Sequence, residues 1–140
     1  MKLDLSSLKK ATDSLQKALR LTAEKMNHEN TNEDEIELMI AGVVQNFEFT
    51  YELCWKSMQR WLKINVGAEI VDGVTRRELF RMSAENRLIT DVDEWMEFHR
   101  ARNISSHTYE KQIADEIYQI AWSFLPASLD LLRRLEMRND

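Results

Sequence analysis

Hydrophobic positions recur at three- and four-residue spacing along most of the chain, and polar runs divide that pattern into helical segments. From about Asp4 to Asn27 the positions Leu8, Ala11, Leu15, Ala18, Leu19, Thr22 and Met26 fall on one side of a helix. Asn27 to Asp34 is polar and aperiodic, which predicts a loop, and a second helix begins near Glu33. Its stripe runs through Ile36, Ile40, Val43, Val44, Phe47, Tyr51, Cys54, Trp55, Met58, Trp61 and Leu62. That is about twice the usual helix length, so this helix is expected to be the spine of the fold. Phe49 and Leu53 lie off the stripe and predict a second buried surface, for which a subunit interface is the economical explanation.

Gly67 and Gly73 bracket NVGAEIVDG, read as a connection or a brief extended piece. Thr75 with Glu78 has the spacing of a capping box, opening a third helix that runs to about Arg87. Asp91 with Glu94 repeats the signature before a fourth helix through Trp95 and Phe98. A fifth helix covers about Lys111 to Met137, with Ile113, Ile117, Ile120, Phe124, Leu131 and Leu135 on one face. Pro126 lacks a backbone donor and predicts a kink or break near residues 122 to 126. The expected fold is all-α, a five-helix, mostly antiparallel bundle forming one domain over residues 1–140.

Composition agrees. Three Gly and one Pro in 140 residues are too few for a turn-rich β architecture. With 44% hydrophobic and 31% charged residues the chain can build a core and is not expected to be disordered. No apolar run approaches the roughly 18 residues of a membrane span, and Asp4, Lys9 and Lys10 interrupt any apolar leader. A cytoplasmic protein is therefore expected. The single Cys54 excludes an internal disulfide, three scattered histidines suggest no metal site, and no cofactor is expected. A net charge of -5 gives no global attraction to nucleic acid or anionic lipid, so any RNA must be held by a local site.

One short stretch concentrates unusual polar residues: His99, Arg100, Arg102, Asn103, Ser105, Ser106, His107, Thr108 and Tyr109, between the fourth and fifth helices. On a continuing helix His99, Arg102 and Asn103 share the face of Val92 and Trp95, at the margin of the apolar stripe. Arg102 and His107 are five apart, about 140° around an ideal helix. They converge on one phosphate only if the helix ends between them or two subunits supply them. Ser105, Ser106 and the β-branched Thr108 make such an ending plausible.

Arg102, four residues, His107, one residue, Tyr109 reproduces the Arg-x4-His-x-Tyr motif of the HEPN superfamily. Together with RNISSHTY, the block FEFTYELCWK at Phe47–Lys56 resembles the HepT-like toxins and, most closely, the nucleotidyltransferase substrate-binding proteins. The resemblance implies a small all-α protein that forms a homodimer through its long helices and pairs with a minimal nucleotidyltransferase. In the toxin branch it implies a metal-independent endoribonuclease with Arg102 and His107 as catalytic residues and Tyr109 as acceptor of AMP; His99 and Asn103, which share the Arg102 face of the helix, are the candidate supporting residues. The residue types suit that chemistry. A neutral imidazole can take the ribose 2′-OH proton, and a guanidinium can stabilise charge growing on the phosphorane. DNA, lacking the 2′-OH, would be inert. One such His per subunit leaves the general acid unassigned, unless a two-fold dimer brings the partner's His107 to the other side.

Structural readings compete with these. His107 with Asn103 can be a hydrogen-bonding pair at a helix end, and Arg102 can pair with Glu97 or Asp93. Cys54 reads as a packing residue, the four tryptophans as core or interface anchors, His99 as a surface or interface residue and His28 as a loop residue. Glu48 and Glu52 can border the cleft, although Glu52 with Lys56 is an ordinary helix pair. Between Val74 and Lys111 seven basic residues face seven acidic ones, so the segment is neutral. Two alternatives to the endoribonuclease follow: a non-catalytic nucleotide-binding or regulatory subunit of the nucleotidyltransferase, and a helical adaptor presenting Phe49, Leu53 and Trp122.

Overall fold

The computed structural model describes residues 2–139. Five helices, α1 (Ser6–Met26), α2 (Glu33–Leu62), α4 (Arg76–Glu85), α5 (Val92–Ile104) and α6 (Lys111–Met137), form the bundle, and α3 (Ala68–Val71) is one extra turn. The 30-residue α2 is about 45 Å long at ~1.5 Å per residue, and it packs most extensively on α1 and α6. Side-chain caps start three helices where the sequence places them. Asn32, Thr75 and Asp91 accept from the backbone N–H groups of Asp34, Glu78 and Glu94 at 2.8, 3.1 and 3.1 Å.

The core is centred on Phe124 of α6, which Phe47 of α2 and Phe98 of α5 approach edge-on at 5.0 Å between ring centres, with Trp95 at 5.9 Å. Cys54 is fully buried, and that burial pushes its thiol up, away from the thiolate, as a packing residue requires. At the ends, Leu3 and Asn139 exchange two hydrogen bonds, of 2.7 and 2.9 Å.

The structure differs from the sequence expectations in two places. The stretch after Leu62 is helical, not extended: α2 runs into a π-helical turn, Lys63–Gly67, and then α3. Buried Val71 draws the segment back onto the core, while Gly67 and Gly73 absorb the reversals at φ +139° and +77°. Pro126 does not break α6, which is continuous from Lys111 to Met137. Pro126 is exposed, and buried Phe124 and Leu125 before it and Ser128 and Leu131 after it hold both halves against the core.

Candidate functional site

The helix does end between Arg102 and His107. α5 stops at Ile104, and a 3-10 turn, Ser105–His107, leads towards α6. The two side chains meet different partners. No hydrogen bond joins them within one chain, and each has its own partners.

Arg102 turns towards α2. Its Nη1 donates to Glu48 Oε2 at 2.9 Å and to Ser105 Oγ at 3.1 Å, and its Nε donates to Glu52 Oε1 at 3.2 Å. Ser105 Oγ lies 2.5 Å from Glu48 Oε2 and 2.8 Å from the Arg102 carbonyl, so its one proton serves either acceptor. Glu52 Oε2 accepts from Trp55 Nε1 at 3.0 Å. The Arg76 guanidinium stacks on the Trp55 ring, 3.5 Å from its centre. Glu48 and Glu52 occur one turn apart on α2, so one guanidinium reaches both.

His99 is the second node. Its Nδ1 is 2.8 Å from the Tyr51 hydroxyl, and its Nε2 is 3.4 Å from the Asn103 amide. Burial holds the imidazole below its ordinary pKa, with the Arg76 charge acting in the same direction and Glu52 opposing. Burial also pushes the Tyr51 phenol up, so this pair is neutral at neutral pH. Asn103 reaches His99 and is itself exposed.

His107 and Tyr109 form a third, solvent-facing group. His107 Nδ1 is 3.2 Å from the Tyr109 hydroxyl, their rings meet edge to face, and Tyr109 is 78% exposed. Tyr109 borders a cavity of about 260 Å³ that Ile40, Ala41, Glu37 and Lys111 also line.

Several expected pairings do not form. Arg102 pairs with neither Glu97 nor Asp93; Arg100 holds Glu97, and Arg77 lies 3.7 Å from Asp93. His107 bonds Tyr109 in place of Asn103. Glu52 bonds Arg102 and Trp55, while Lys56 lies over the Trp55 ring. Ser105 and Arg76 belong to the site without having been singled out for it. Ser105 is the third residue after Arg102, the spacing at which a short side chain meets its helical neighbour, whereas Arg76 carries no sequence signal of its own.

A family described as nucleotidyltransferase substrate binding protein like matches residues 3–137. A Haemophilus influenzae protein named "Probable ribonuclease HepT" is 35% identical over 102 residues, covering 72% of this chain and 70% of that protein. Among solved structures, HI0074 from Haemophilus influenzae, described as showing the fold of a substrate binding domain of a nucleotidyltransferase, superposes with a TM-score of 0.90. It is 29% identical, and the match covers 95% of this chain and 99% of that one. A protein from Thermus thermophilus shares the fold at 24% identity and a TM-score of 0.63, covering 86% of this chain and 98% of that one. No helix among the described residues is long and apolar enough to cross a membrane.

Proposed function

The chain belongs to the nucleotidyltransferase substrate binding protein like family, and from that membership we propose that it is the partner subunit of a minimal nucleotidyltransferase and carries a metal-independent endoribonuclease site. The observation that carries the second part is the state of Arg102. Its guanidinium is fixed by Glu48, Glu52 and Ser105, yet Nη2 has no partner among the described residues and the side chain is 34% exposed. A preoriented fork with one free edge at a helix end suits a phosphate oxygen. His107, exposed in the adjoining turn, supplies proton transfer.

In this reading the ribose 2′-oxygen attacks the adjacent phosphorus and the bond to the 5′-oxygen breaks, giving a 2′,3′-cyclic phosphate and a free 5′-hydroxyl. Arg102 stabilises the charge on the phosphorane, and His107 moves a proton. Asn103 and His99 support the Arg102 face of α5. Tyr109 is the control point: its phenol oxygen attacks the α-phosphate of ATP, pyrophosphate leaves, and the attached adenylate places bulk and negative charge beside His107. A homodimer brings two such sites together.

The test is cleavage of an RNA oligonucleotide by the purified chain in the presence of a chelator. His107→Ala and Arg102→Ala each abolish cleavage with helical content intact. Activity that needs added magnesium, or that survives both substitutions, overturns the endoribonuclease. One observation favours the non-catalytic alternative: two carboxylates already face Arg102, in a chain of net charge -5. A nucleotide-binding or regulatory subunit would bind the nucleotidyltransferase and leave RNA intact. For Tyr109, the two proteins are incubated with ATP and the chain is weighed intact. A mass gain of one or more adenylates that disappears in Tyr109→Phe supports its role; no gain, or a gain that persists, removes it.

A further inference from the structure

The block FEFTYELCWK supplies the side chains that surround Arg102, and its two glutamates are not equivalent. Glu52 is used at both oxygens: Oε1 accepts from Arg102 Nε at 3.2 Å and Oε2 from Trp55 Nε1 at 3.0 Å. Glu48 is used at one. Its Oε2 takes Arg102 Nη1 at 2.9 Å and Ser105 Oγ at 2.5 Å, whereas Oε1 has no partner among the described residues. The same ion pair thus keeps one unused acceptor, Glu48 Oε1, and one unused donor edge, Arg102 Nη2. Both side chains reach solvent, at 28% and 34% exposure. The Ser105 hydroxyl and the guanidinium hold Oε2 and so fix the direction of Oε1.

Cleavage through a 2′,3′-cyclic phosphate needs two proton transfers, one from the 2′-hydroxyl and one to the 5′-oxygen. One histidine of the motif leaves one transfer unassigned. We propose that Glu48 is the general base, its Oε1 taking the 2′-OH proton while Arg102 Nη2 binds the scissile phosphate, so that His107, as the imidazolium, protonates the departing 5′-oxygen. The 2′-oxygen forms its bond to phosphorus as the bond to the 5′-oxygen breaks. The proton gained by Glu48 and the proton lost by His107 are exchanged back through solvent. Glu52, with both oxygens committed, is a positioning residue that holds the guanidinium. This assignment rests on the endoribonuclease reading above and completes its acid–base pair.

The test uses the full chain and two substrates: an RNA oligonucleotide and uridine 3′-(p-nitrophenyl phosphate), whose leaving group departs without a proton. On RNA, Glu48→Gln and His107→Ala each lose about 10²-fold or more in kcat. On the activated substrate His107→Ala recovers to within a few-fold of wild type, because the acid is dispensable, while Glu48→Gln stays impaired. Glu48→Asp keeps the acidic limb of the pH–rate profile that Glu48→Gln loses, and it serves should Glu48→Gln fail to fold. Glu52→Gln raises KM and keeps both limbs. Recovery of Glu48→Gln on the activated substrate, or a wild-type acidic limb in that variant, overturns the role of Glu48. A wild-type chain that cleaves neither substrate overturns the endoribonuclease reading itself, and this assignment with it.

Discussion

In the proposed site Arg102 would act through the shape of its head group as well as its charge. Three donors on two nitrogens already engage Glu48, Glu52 and Ser105, and only a planar fork can do that while presenting a further edge. Arg102→Lys keeps the charge and loses the fork, so RNA cleavage should fall by about 10²-fold or more. Its melting temperature should move little, since pairs this open to solvent contribute only about 1 kcal/mol or less. Wild-type cleavage in Arg102→Lys would show that a point charge suffices. His99 ties stability to pH. Its folded pKa lies below the ordinary value, so the unfolded chain binds the proton more readily. Stability from this residue is present above the unfolded value near 6.5 and is lost as pH falls through that value to the folded one. Thermal melts between pH 7.5 and pH 5 should show a loss in wild type that is smaller in His99→Gln; equal slopes would remove His99 as the cause. The motif pattern could be picked out of the sequence because its spacing is local. Their partners Glu48 and Glu52 lie about fifty positions away, and i,i+4 spacing says only that the two glutamates share a face; which cation they meet is decided by how α2 packs on α5.

The helices themselves follow from pattern and caps, and the exceptions are where packing overrides local rules. Thr75 caps α4, whose first residue, Arg76, stacks on Trp55 beside the site. Thr75→Ala should cost about 1 kcal/mol, read in denaturant unfolding as a lower midpoint at unchanged slope. Phe124→Ala removes the ring on which α2, α5 and α6 converge and should cost about 3–5 kcal/mol, whereas loss of 1 kcal/mol or less would mean the core closes over the gap. The continuity of α6 through Pro126 was not legible, because a proline's local penalty of ~3 kcal/mol is weighed against burial on both sides of it, which only the assembled core reveals. Likewise Arg134 of α6 and Arg138, just past its end, donate to the carbonyls of Arg87 and Asn86, tying down the turn after α4 where Arg87 adopts φ +62°. Nothing in the periodicity of α6 marks those arginines as partners of the turn after α4.

At the scale of the whole molecule, the proposed site is incomplete in its electrostatics and the proposed dimer bears on that. Around one Arg102 stand two carboxylates, so much of its charge is already offset by its own counter-ions before a phosphodiester arrives. The proposed two-fold assembly would add the second copy's Arg102 and His107 to the site. The surface available for it is the part of α2 that the bundle leaves uncovered: Phe49 is 59% exposed, and Leu53, one turn on, is half-buried. Phe49 is adjacent to Glu48, so a copy packed there would sit against the site. Such an interface, formed by α2 and α5, should bury on the order of 1,200 Å² or more in total to persist at micromolar concentration. Phe49→Glu tests it cleanly, since an exposed ring contributes little to the fold of one chain. The melting temperature measured where the variant is monomeric should stay close to that of wild type diluted to the same state. Sedimentation velocity should show wild type as a dimer and Phe49→Glu as a monomer, and RNA cleavage should fall with the dimer fraction. A wild-type monomer at micromolar concentration, or a dimer indifferent to Phe49→Glu, would place the second copy elsewhere or remove it.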